Sequence, residues 1–340
     1  MITRRYAAAA IAIVAVVAAA RAADTPAKNR TTPWLSSSNA SYVSLPRIVK
    51  EYAHDSGAFT QGLVFGADGA LYESDGLYRK SRVRRVELDT GKTLAKNLNA
   101  NEHFGEGLAA IGEKLYQLTW REGAMHEYDT KTLRRLSTRA QPFHGEGWGL
   151  AYDETTGLAY GTDGTHRVHV LRPAHNWAAL HVLRVKDERL GGTLIEGLNE
   201  LEMVEGELWA NVLPLRYHKA SPCVGLRCRH MRRLRRQYLN TQVARIDINT
   251  GNVLGWVDLS ALRDKQSSRV RRQPHHFVTN GIAYRRAPGR PQLLATGKQW
   301  DSMFDIDLET SNLGPDHVRS RCDLYLSPTN SHRSSSFFPH

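Results

Sequence analysis

The chain has 340 residues, 41% hydrophobic and 24% charged, with a formal net charge of +12. That length can bury a full core, and only three cysteines exclude a disulfide-stapled scaffold. The positive excess gathers in CRHMRRLRRQ (228–237) and RVRRQ (269–273), which lack the interleaved aromatics of a nucleic-acid face, so no nucleic-acid partner is expected.

At the N-terminus, Arg4 and Arg5 precede an apolar run from Tyr6 to Ala20, and Ala20-Arg21-Ala22 has the small-x-small spacing of a signal-peptidase site. The run is short for a membrane span, so residues 1–22 read as a cleaved secretory signal, with an uncleaved anchor as the alternative. The expected location is the secretory pathway, with no stable membrane insertion after cleavage. Residues 23–42, rich in Thr, Ser, Ala and Pro, read as a linker carrying a glycosylation acceptor, Asn39-Ala40-Ser41. A folded region is expected over 43–310, interrupted by a basic insertion (214–240). Cys223 and Cys228 lie within that insertion and could close a small loop in an oxidising compartment. Zinc there would need two further ligands, and only His230 offers itself, so no metal and no cofactor are expected. A polar tail (311–340) is expected to be disordered.

The folded region repeats itself. Each pass has a polar or aromatic leading residue, a small residue, an aliphatic pair opening a strand, a turn, and a second strand; a third strand ends near Asp-Thr-Gly. The five passes open as QGLVFGADGALYESD (61–75), EGLAAIGEKLYQLTW (106–120), WGLAYDETTGLAYGTD (148–163), NELEMVEGELWANVL (199–213) and NGIAYRRAPGRPQLLATGK (280–298). Short strands with period-two alternation and a repeat of roughly 40–50 residues predict an all-β fold, a five-bladed β-propeller. In such a fold equivalent positions form rings at one mouth. The leading ring is Gln61, Glu106, Trp148, Asn199 and Asn280. The ring ending the second strands is Asp75, Trp120, Asp163, Leu213 and Lys298.

These rings differ from blade to blade, as a functional mouth requires. Glu106, between Gly105 and Gly107 and beside Phe104, is a carboxylate that burial can turn into a proton shuttle. Trp120 ends its strand and Trp148 sits between two glycines, placements that suit pocket walls; Trp209 and Trp256 read as core. Gln61 and Asn199 can orient an amide or stabilise an oxyanion, and Lys298 supplies a fixed positive charge. Asp75 and Asp163 each precede Gly, a turn signature. A non-catalytic propeller that binds a peptide or protein through its face and basic insertion, and a glycosidase needing two carboxylates, are the competing readings.

FTQGL (59–63), ESDGLY (73–78), FGEGL (104–108), QLTW (117–120), EGWGL (146–150), LNELE (198–202), WANV (209–212), NGIAY (280–284) and TGKQW (296–300) occur in that order. Together they resemble the plant-type glutaminyl-peptide cyclotransferase (glutamine cyclotransferase) family. The resemblance runs from about 48 to 308 and implies a five-bladed propeller. It also implies conversion of an N-terminal glutaminyl residue of peptides or proteins to pyroglutamyl with release of ammonia. It assigns proton transfer to Glu106, amide positioning and oxyanion stabilisation to Asn199 and Lys298, and the pocket lining to Gln61, Phe104, Trp120 and Trp148. Two departures stand out: Leu213 where an aromatic is usual after WANV, and the insertion that follows it. A monomer is expected.

Overall fold

The computed structural model describes residues 41–213 and 241–321. The expected signal, most of the linker, the basic insertion with Cys223 and Cys228, and Cys322 lie outside the described residues. Within them the regular structure is mostly β-strand with a few short helices, and no helix is long and apolar enough to cross a membrane.

An N-terminal strand, β1 (Val43–Ala53), precedes sets of antiparallel strands. The first set is β2 (Thr60–Phe65), β3 (Leu71–Asp75), β4 (Arg82–Val86) and β5 (Thr93–Leu98). The second is β6 (Gly105–Ile111), β7 (Lys114–Thr119), β8 (Ala124–Asp129) and β9 (Arg135–Ala140). The third is β10 (Leu150–Asp153), β11 (Leu158–Thr162), β12 (Arg167–Arg172) and β13 (Ala178–Arg184), followed by a small hairpin, β14 (Lys186–Asp187) and β15 (Thr193–Leu194). Next come β16 (Leu198–Val204), β17 (Glu207–Val212), β18 (Gln242–Asp247) and β19 (Val253–Asp258), then β20 (Thr279–Arg285), β21 (Gln292–Gly297) and β22 (Ser302–Thr310). β1 joins these last two groups into one eight-stranded sheet, antiparallel to β22 and briefly parallel to β19. The first strand of the chain thereby covers the edge of the last group, which would otherwise stand open.

The first strands of the sets pack in a closed cycle: β2 against β6, β6 against β10, β10 against β16, β16 against β20, and β20 against β2. Apolar clusters fill the gaps between successive sets. Val64 and Tyr72 meet Leu108 and Leu115; Ala109 and Leu118 meet Leu150 and Ala159. Ala151 and Tyr160 meet Leu201 and Leu208; Val204 and Trp209 meet Ile282 and Leu293; Ala283 and Leu294 meet Leu63 and Leu71. Trp209 and Trp256 are fully buried, as their sequence setting suggests.

Glycine after the leading residue has a steric cause. A Cβ on Gly107 would collide with the backbone of Trp148, Gly149 and Leu150, and one on Gly149 with Asn199 O. Neighbouring first strands approach too closely there for any side chain. Glu200 stands at the same step in the fourth pass and takes a different solution. Its buried carboxylate accepts the Ile282 N–H of the next first strand at 3.1 Å.

Three expectations are corrected. The first four sets hold four strands each and the last, β20–β22, takes β1 as its fourth; the outer strands β5 and β9 alternate half-buried and exposed residues and carry a weak apolar signal. Asp-Thr-Gly (89–91) is the turn into β5 and Asn-Thr-Gly (249–251) the turn into β19: both glycines adopt positive φ, and their N–H groups close on Glu87 O at 2.8 Å and Asp247 O at 2.9 Å. The polar tail also begins in order. A helix spans Pro315–Arg321, with Val318 in the core and His317 Nε2 2.7 Å from Asp258 Oδ2. At the other end Tyr42, placed in the linker by composition, donates its hydroxyl to Asp187 at 2.6 Å.

Candidate active site

The leading residues emerge at irregularities of the first strands. Pairing register shifts between Thr60 and Gly62, Gly105 and Leu108, Leu198 and Leu201, and Thr279 and Ile282. Each bulge leaves Gln61, Glu106, Asn199 or Asn280 out of the ladder and re-aims its side chain.

Three of these side chains form a relay. Asn280 Nδ2 donates to Gln61 Oε1 at 3.0 Å and to Thr60 O at 2.9 Å. Gln61 Nε2 donates to Glu106 Oε1 at 2.9 Å. The relay fixes the Gln61 amide, so that its N–H faces the acid. Glu106 Oε2 is buried without a hydrogen-bond partner among the described residues, and so are Asn199 Oδ1 and Asn280 Oδ1. Buried polar atoms are nearly always satisfied, so such a group beside a mouth marks a place where a ligand's donors would go.

Burial pushes the Glu106 carboxyl well above the ordinary carboxylate range; Lys298 draws it back in part, while Glu146 and Glu122 add to the rise. Lys298 is itself buried at the end of β21. Desolvation lowers its ammonium to about 8 against the pull of Glu106, and Nζ lies 4.8 Å from the centre of the Phe59 ring. Desolvation drives both groups toward their neutral forms, and the attraction between them opposes that drive.

An apolar wall flanks the acid. Phe59, Phe104 and Trp120 form one buried cluster, with Leu77 and the half-buried Trp148 against it. Phe104 packs edge-on to Phe59 with centroids 6.1 Å apart and lies 5.5 Å from Trp120. Tyr78 meets Phe104 at 5.4 Å and donates its hydroxyl to Glu122 at 3.0 Å. Gln61, Phe104, Glu106, Trp120, Asn199 and Lys298 are all buried, and with Trp148 they occupy the ends of neighbouring first and second strands.

The remaining ring positions are engaged in different ways. Asp163 accepts the Thr165 N–H at 3.1 Å, with His169 and Arg167 also on its carboxylate, and Gly164 takes positive φ. Asp75 is held by Arg82 Nε at 2.5 Å. Asp163 is engaged on both oxygens, whereas Asp75 Oδ1 is buried without a hydrogen-bond partner among the described residues, and burial together with Glu73 pushes that carboxyl up to about 7. Leu213 donates its N–H to Gly197 O at 2.8 Å and is half-buried.

Sequence reasoning missed Phe59, Tyr78, Glu122 and Glu146. The first two sit inside quoted motifs, Phe59 just before β2 and Tyr78 in the turn after β3, but as single aromatics they carry no distinguishing mark. Glu146 had a usable signal: it precedes Gly147-Trp148-Gly149 as closely as Glu106 follows Gly105.

The glutamine cyclotransferase family model matches residues 10–218 and 226–308. The glutaminyl-peptide cyclotransferase of Arabidopsis thaliana is 34% identical over 284 residues, 81% of this chain and 75% of that one. The crystal structure of Myxococcus xanthus glutaminyl cyclase superposes with a TM-score of 0.63 at 30% identity, covering 80% of this chain and 100% of the other. The motifs that carry the resemblance are the strand ends that build the relay, the aromatic wall and the Lys298 turn, and the chain belongs to the glutamine cyclotransferase family.

Proposed function

We propose that this protein is a five-bladed β-propeller that cyclises N-terminal glutamine of peptides or proteins to pyroglutamate and releases ammonia. The closed cycle of five first strands and the five clusters between sets support the blade count. The observation that carries the activity is Glu106: a buried carboxyl raised by desolvation, with one oxygen held by Gln61 and the other unpartnered among the described residues.

The reaction needs no external nucleophile. The substrate's own α-amine attacks its γ-carboxamide carbon, so the enzyme's task is to fold the side chain back, exclude water and move protons. Neutral amine attacks the carbonyl carbon, and the carbonyl oxygen takes up negative charge. Glu106 as carboxylate accepts the proton that the attacking nitrogen must shed and returns it to the leaving nitrogen. The C–N bond to that nitrogen breaks, ammonia departs, and the lactam carbonyl re-forms. Lys298 as ammonium opposes the charge on oxygen, and the amide of Asn199 orients the carboxamide. Phe59, Phe104, Trp120 and Trp148 give an apolar enclosure that strengthens these interactions.

Purified protein incubated with a glutamine-initiated peptide is expected to release one ammonia per peptide, with the peptide losing the mass of one ammonia. Intact, folded protein that leaves such peptides unchanged overturns the reading.

A further inference from the structure

Trp120 and Trp148 come from different strand sets, one at the end of β7 and the other just before β10, yet their indole N–H groups share one acceptor. Glu146 Oε2 receives Trp120 Nε1 at 2.8 Å and Trp148 Nε1 at 3.0 Å. Its other oxygen receives Arg121 Nε at 3.0 Å, and the Arg121 guanidinium lies 3.7 Å from the Trp120 ring centre. The backbone holds the acid in place: Gly147 N–H donates to Trp120 O at 2.8 Å, and a Cβ on Gly147 would strike Thr119 O.

We propose that Glu146 is a positioning residue for this site, fixing the two indoles that wall the space beside Glu106. The inference rests on the cyclotransferase reading for its kinetic consequence but not for its geometry. Stacking alone leaves an indole free to slide and tilt. Trp148 has one face against Gly164, where a Cβ would collide with the ring, and Trp120 has Arg121 on one face. A charged acceptor at both N–H edges removes the remaining freedom, because each charge-assisted hydrogen bond has a preferred line of approach. The carboxylate is suited to this task by its chemistry. It is acceptor-only and offers enough lone pairs for two indoles and a guanidinium at once.

The test uses the full chain with 5-fluorotryptophan incorporated, the resonances of Trp120 and Trp148 being assigned by Trp→Phe substitution. Glu146→Ala is expected to shift or broaden both 19F resonances and to lower kcat/KM on a glutamine-initiated peptide by about 10–100-fold, the scale of a misplaced substrate contact. Glu146→Gln, which keeps an oxygen acceptor, is expected to recover part of that loss; it also serves as the test should the alanine variant fail to fold. Unchanged resonances together with kcat/KM within about twofold of the parent overturn the proposal, a truncation that leaves transition-state binding intact having removed nothing the site uses. If the parent protein releases no ammonia, the cyclotransferase reading fails by itself. The 19F arm then still decides the placement: movement of both resonances upholds it, and their constancy overturns it.

Discussion

Glu73 and Glu106 are both buried carboxylates on neighbouring strand sets, and they have opposite fates. Glu73 accepts Arg84 through Nε at 3.1 Å and Nη2 at 2.5 Å, the Thr60 hydroxyl at 2.7 Å, and lies 3.0 Å from His54 Nε2. Burial by itself would raise it, but Arg84 and His54 outweigh burial and hold it well below the ordinary range. His54 in turn reaches Trp300 O at 2.9 Å, tying β1 to the turn that carries Lys298. Glu106 has one amide donor and the opposing pull of the Lys298 ammonium, and burial wins. The same balance, desolvation against partners, decides both shifts.

The largest expected effect lies on the Glu106 side. Glu106→Gln keeps the shape and the contact with Gln61 but cannot accept a proton, so kcat should fall by about 10²–10⁴-fold while peptide binding survives. Steady-state kinetics with a binding measurement checks this. A variant that turns over normally would put Glu106 with Glu73 among structural acids.

On the other side, Arg84→Met leaves Glu73 buried with its main partner gone. It should destabilise the fold by about 3–5 kcal/mol, read by denaturant unfolding. A loss under about 1 kcal/mol would show that His54 and Thr60 suffice to hold the charge, and the contrast would weaken.

The smallest effect has the opposite sign and sharpens the comparison most. Because folding raises the Glu106 carboxyl above its unfolded value, the ionised form costs stability. That cost is absent below the unfolded value, where both states are protonated. It grows as pH rises and is complete above the folded value. Glu106→Gln should therefore raise Tm at pH 7.5 by roughly 2 °C or more, with the gain vanishing at acid pH. Equal Tm at both pH values would mean that Glu106 is not raised.

Much of the site was readable because repeats place equivalent residues at equivalent heights. Glu106 in FGEGL, Asn199 in LNELE and Lys298 in TGKQW declared themselves by differing from their counterparts where packing alone favours likeness. The relay from Asn280 through Gln61 was half-readable: the residues stood in one register, but which amide donates to which is a matter of bulge geometry. Glu146 escaped notice because its function, as proposed, is to hold two other residues, and nothing local in the sequence says which indoles a carboxylate will reach.

The sequence by itself determined the period-two strands and the glycines where first strands crowd together, since these follow from steric rules and from position within a repeat. Only the tertiary structure decided that β1 covers the edge of the last group, that a fourth strand completes each set, and that Asp163 is spent on arginine, histidine and turn contacts. It also decided that Glu73 meets an arginine and Glu106 does not. Those outcomes depend on which distant side chains share a desolvated space, and burial converts that neighbourhood into charge state.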